Sequence, residues 1–92
     1  MAWTVITSNK AQKQIDQLPR RVIKVLDALV AEIGLRGPVR GNWPNYSKLR
    51  GERHHCHLTK GKPTYVAVWE VKEKRVKLVE VIYVGTHERA RY

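Results

Sequence analysis

Thr64-Tyr65-Val66-Ala67-Val68-Trp69-Glu70-Val71 and Val76-Lys77-Leu78-Val79-Glu80-Val81-Ile82-Tyr83-Val84 are two runs rich in β-branched and aromatic residues. A short charged stretch containing Glu73-Lys74 separates them, which predicts a hairpin of two strands with Glu73-Lys74 at its turn. The apolar, β-branched end of the second run, Val79 to Val84, suits a buried strand. Upstream, His54 to Leu58 reads as a further strand, and Trp3 to Thr7 alternates as a first one.

Between the first strand and the rest lie two helical patterns. Ser8 is a good N-cap, and Ala11, Ile15 and Leu18 mark a short amphipathic helix. Pro19 breaks it but suits the first turn of a second helix. In that helix Val22, Leu26, Leu29 and Ile33 recur at three and four residues, giving one apolar face, and Gly34 is the expected stop. Residues 35 to 51 carry Gly37, Pro38, Gly41 and Pro44, which predict a loop without regular structure. The expectation is an α+β fold, β-α-α-β-β-β, with both helices packed on one face of a mainly antiparallel sheet.

The 92 residues make one small domain spanning 1–92. Eighteen Lys and Arg against eight Asp and Glu give a formal charge of +10. Such a field favours polyanionic partners: nucleic acid, an acidic protein segment or an anionic membrane. The membrane is disfavoured, because neither helix sets a basic face against bulky apolar residues and no apolar run is long enough to span. With no signal-peptide pattern and a single cysteine, Cys56, the expected location is the cytoplasm.

Groups able to do chemistry concentrate in two places. The last strand runs through Gly85, which would let the backbone leave it, into Thr86-His87-Glu88-Arg89-Ala90-Arg91-Tyr92. An imidazole there can move protons near neutral pH, guanidinium groups can clamp phosphate, and a phenol can stack on a base. The second place is the basic stretch Lys48, Arg50, Arg53, Lys60 and Lys62, interleaved with Trp43 and Tyr46. Cations beside aromatics suit single-stranded RNA, unless the rings simply pack inward. Alternation in a strand puts His55 and His57 on one face and His54 with Cys56 on the other. Those residues read either as solvent-facing imidazoles around a core cysteine or as a site for acid–base work. No C-x-x-C or H-E-x-x-H accompanies them, so neither metal nor cofactor is expected.

The order of these features resembles the RelE/ParE superfamily of bacterial toxins from toxin–antitoxin pairs. The resemblance rests on Trp3, the Leu18-Pro19 break, Pro38, Lys48-Leu49-Arg50-Gly51 (similar to K-L-x-G), the hairpin and Val84-Gly85-Thr86-His87. Gly85-Thr86-His87 and Gly41-Asn42-Trp43 with Tyr46 look most like the YafQ-like branch. In that branch two histidines at the positions of His57 and His87 belong to the active site. Its Asp-Trp pair has no counterpart here, where Lys60-Gly61-Lys62-Pro63 stands.

The resemblance implies a metal-independent endoribonuclease that cleaves mRNA in the ribosomal A site, with an acidic antitoxin as partner. His57 and His87 would be its acid and base. Arg53 and Lys60 would steady the charge on phosphorus, and Tyr92 would stack on a base or orient the ribose. Lys48, Arg50, Lys62, Arg89 and Arg91 would hold RNA. ParE-like relatives, which share the fold, poison DNA gyrase instead, and an inert antitoxin-binding protein is the other alternative.

Overall fold

The computed structural model describes residues 2–90. Strand β1 (Thr4–Thr7) leads into helix α1 (Asn9–Ile15) and helix α2 (Arg20–Arg36). Strands β2 (Ser47–Lys48), β3 (Arg53–His57), β4 (Tyr65–Glu73) and β5 (Leu78–Thr86) follow, and a single 3-10 turn covers His87–Arg89. The sheet order is β1-β5-β4-β3-β2; β1 runs parallel to β5 and every other pair is antiparallel. The expected α+β architecture holds, with β2 as an added edge strand.

The helices form as the sequence predicts and cover one face of the sheet. Ser8 Oγ accepts the Ala11 N–H at 3.0 Å, capping α1. Val22, Leu26, Leu29 and Ile33 pack against Cys56, Ala67, Trp69, Val79, Val81 and Val84 in one core. The expected stop at Gly34 is wrong by three residues. Gly34 stays helical and its carbonyl accepts the Trp3 N–H at 2.6 Å, while Gly37 ends the helix with φ +99°. The dihedral of Gly37 favours glycine, and a Cβ there would also sit tightly against Trp3, 3.1 Å from Nε1.

The loop of residues 37–46 is fastened by aromatic contacts. Trp69 Nε1–H donates to the Pro38 carbonyl at 2.9 Å, and the His54 ring stacks on Trp69 with 6.0 Å between centroids. Tyr46 Oη lies 2.6 Å from His54 Nδ1. Trp43 and Tyr46 both pack against the core, so the inward alternative for these rings is the correct one. Fastened this way, the loop delivers Ser47 and Lys48 to β3 as strand β2, opposite His55 and His54. Its turns and prolines hid that pairing from the sequence.

Candidate active site

Strand alternation and the register shifts between β4 and β5 sort the side chains of β3, β4 and β5 onto two faces. His54, Cys56, Ala67 and Trp69 face the helices, and Arg53, His55, His57, Val68 and Glu70 take the other face. The irregularity between Val68 and Trp69 pairs Val68 with Tyr83 and Trp69 with Val81. That extra residue on β5 brings Tyr83 onto the outer face.

Two neighbouring strand ends bring His57 and His87 together. Val66 pairs with both His57 and Gly85, so it stands between them, and the 3-10 turn starts with His87 immediately after Thr86. The His87 N–H donates to the Thr64 carbonyl at 2.7 Å, fixing the turn against the β3–β4 loop. The two imidazoles meet edge to face with centroids 5.3 Å apart. His55 continues the row, its ring 6.0 Å from that of His57 and its Nδ1 2.9 Å from Ser47 Oγ.

Gly85 does not release the backbone from the sheet as expected, because β5 runs on through Thr86. Its reason is space. A Cβ there would lie 2.6 Å from the Tyr83 hydroxyl, which donates to the Thr86 carbonyl at 2.8 Å. Gly85→Ala is therefore expected to break that bond, tilt the turn bearing His87 and cost about 1–3 kcal/mol by overpacking. Adding Tyr83→Phe removes the clashing oxygen and should recover part of the loss; urea denaturation of both variants measures it.

Other residues singled out from the sequence are more scattered. Lys60 and Lys62 are exposed on the β3–β4 loop, at the same end as His87. Arg53 stands at the far end of β3, roughly 13 Å from His57 at strand spacing. There it pairs with Glu70 at 3.3 Å, and Lys72 takes the other Glu70 oxygen at 3.1 Å. Hydrogen bonding from Lys72 in particular holds the Glu70 carboxyl below its usual range. Lys48 lies on the edge strand beside His54, and Arg50 sits in the turn before β3. Arg89 ends the 3-10 turn, while Arg91 and Tyr92 lie outside the described residues.

Three imidazoles are held toward neutrality. Burial lowers His54, His55 and His57 from the usual 6.5, aided for His54 by Lys48 and for His57 by His87. Burial also pushes the Cys56 thiol up to about 12, which leaves it an unreactive core group. The unfolded chain protonates its imidazoles first, so stability is complete above about pH 6.5 and falls as pH drops through the lowered folded values. A melting temperature that declines between about pH 7 and pH 5 is expected, with a smaller decline in His54→Gln. An unchanged melting temperature over that range would contradict it.

Among the described residues, no group of three His, Cys, Asp or Glu side chains converges to hold a metal ion. An open groove of about 790 Å³ runs along β5, lined by Lys10 and Gln14 of α1 and by Arg53, Tyr65, Tyr83 and Arg89, the last on the turn that His87 begins. None of its α1 residues was singled out from the sequence, since an exposed polar face on a short helix carries no motif. The third imidazole, His55, was visible in the alternation but not placed in the chemistry.

No family model and no curated protein matches the sequence. Solved structures do. A mutant of the E. coli toxin RelE in the free state superposes with a TM-score of 0.74 at 25% identity, covering 98% of this chain and 88% of that one. The toxin in the intact E. coli RelBE toxin–antitoxin complex gives 0.69 at 26% identity, over 96% and 100% of the two chains. A metal-bound toxin from Helicobacter pylori shares the fold, with a TM-score of 0.68 at 21% identity over 99% and 100%.

Proposed function

From a chain that belongs to the RelE/ParE toxin superfamily, we propose the toxin of a toxin–antitoxin pair, a metal-independent endoribonuclease that cuts mRNA on the ribosome. The pairing of His57 and His87, with ring centroids 5.3 Å apart, carries this reading. Two adjacent imidazoles supply both proton transfers that RNA cleavage needs.

His57 is the base. It is half-buried, and burial together with the neighbouring His87 lowers its pKa and so favours its neutral form. It takes the proton of a ribose 2′-hydroxyl as that oxygen forms a bond to the adjacent phosphorus. His87, exposed at the start of the turn, gives a proton to the departing 5′-oxygen as the P–O5′ bond breaks. The products are a 2′,3′-cyclic phosphate and a 5′-hydroxyl. DNA lacks the attacking hydroxyl and is not cut.

Lys60 and Lys62, on the loop that Thr64 ties to His87, provide positive charge near the reacting phosphate. Arg53 is committed to Glu70 and serves a flanking phosphate. Lys48 and Arg50 extend the positive surface toward ribosomal RNA; Arg91 and Tyr92, outside the described residues, are the proposed RNA-holding cation and base-stacking ring. The net charge of +10 suits an acidic antitoxin segment as the inhibitor.

The test is to add pure protein to a translating extract and map mRNA 5′ ends. Discrete cuts that disappear without ribosomes are expected. Intact mRNA combined with inhibited gyrase supercoiling would overturn the reading in favour of the ParE-like activity.

A further inference from the structure

Strand β1 covers β5 only as far as Val81, which leaves the end of β5 to be crossed by α1. The Ser8 N–H donates to the Val81 carbonyl at 3.0 Å, and Gln14 Oε1 accepts the Val84 N–H at 3.0 Å. That second bond turns the Gln14 amide so that its oxygen serves the strand. Its NH₂ has no protein acceptor among the described residues, and Gln14 lines the groove. Lys10 lines the groove from the same helix, Gln17 from the turn that follows it, and Arg89 from the turn that carries His87.

Lys10 and Arg89 make no ion pair among the described residues, whereas Arg53 is held by Glu70. The groove thus has two cations without a salt bridge, on separate elements, and two side-chain amides in its lining. Its volume of about 790 Å³ falls within the roughly 300–1,000 Å³ usual for ligand sites.

We propose that this groove is the subsite for a nucleotide flanking the cleaved phosphate of single-stranded RNA. Lys10 and Arg89 hold the phosphates, and Gln14 and Gln17 meet the edge of the base. The inference rests on the RNA-cleavage reading and adds α1 to the substrate-binding surface. Cations set apart on two elements match successive phosphates, and amides can both donate to and accept from an unpaired base edge. An acidic peptide laid along β5 would use the cations but leave the amide NH₂ groups without a base to read.

Titration of isotope-labelled protein with a short oligoribonucleotide at low salt tests the assignment by nuclear magnetic resonance. Side-chain amide signals of Gln14 and Gln17 should shift together with the imidazole signals of His57. In Lys10→Ala/Gln17→Ala, both sites being exposed, the melting temperature should hold while binding weakens several-fold. The slope of log affinity against log salt should fall by about 0.7 for the lost phosphate contact. Shifts confined to His57 and His87, unchanged binding by the double variant, or an acidic peptide displacing RNA from Gln14 would each overturn the subsite. Cleavage in the translating extract is read separately, so failure of the nuclease reading is distinguished from failure of the subsite.

Discussion

His87→Ala is expected to lower mRNA cleavage about 10²- to 10⁴-fold, the usual contribution of a positioned acid or base. At about 1.36 kcal/mol per decade this amounts to roughly 3–5 kcal/mol of transition-state stabilisation. The side chain is exposed, and the backbone N–H bond to the Thr64 carbonyl does not depend on it, so the variant should remain folded. His57→Ala should bring a comparable fall. Because the two imidazoles act as one unit, the double variant should lose little more than either single one. Primer extension on mRNA from a translating extract measures all three. Cleavage by His87→Ala within a few-fold of the parent would eliminate the acid–base proposal.

The largest effect on stability belongs to Trp69→Ala. Trp69 is fully buried at the centre of the sheet, and removing so large a core side chain costs about 3–5 kcal/mol. Small domains are stabilised by only about 5–15 kcal/mol in total, so the variant should be close to unfolding. The loss has a second part, because the indole N–H anchors the Pro38 carbonyl and the ring stacks on His54. Trp69→Phe keeps an aromatic ring but abandons the Pro38 bond, and it should fall between parent and alanine. Urea denaturation ranks the three. Equal midpoints for parent and Trp69→Ala would refute the account of how the 37–46 loop is held.

Much of this architecture could be read from the chain because its signals are local. Runs of β-branched and aromatic residues marked β4 and β5, and apolar residues three and four apart marked α2. Ser8 marked the start of α1 through the same hydrogen bond that the fold displays. The end of α2 was harder, since two glycines stand three residues apart. Only the approach of Trp3 decides between them: Gly34 offers a carbonyl to the chain, and Gly37 offers the absence of a side chain. Strand β2 was hidden for a similar reason, because its two residues pair only once Trp69, His54 and Tyr46 have pinned the preceding loop.

The candidate site divides along the same line. Alternation along β3 already set His55 and His57 on one face opposite Cys56, and a strand exit already carried His87. Sequence by itself therefore determined the fold class, the positive field and the chemical groups on hand. Tertiary structure alone decided which of those groups meet. Pairing of β4 with both β3 and β5 brings His57 and His87 to 5.3 Å, while Arg53, four residues away on the same strand, is drawn off by Glu70. Spacing within one strand is a property of the backbone, but proximity between strands depends on register, and a single β-bulge resets it.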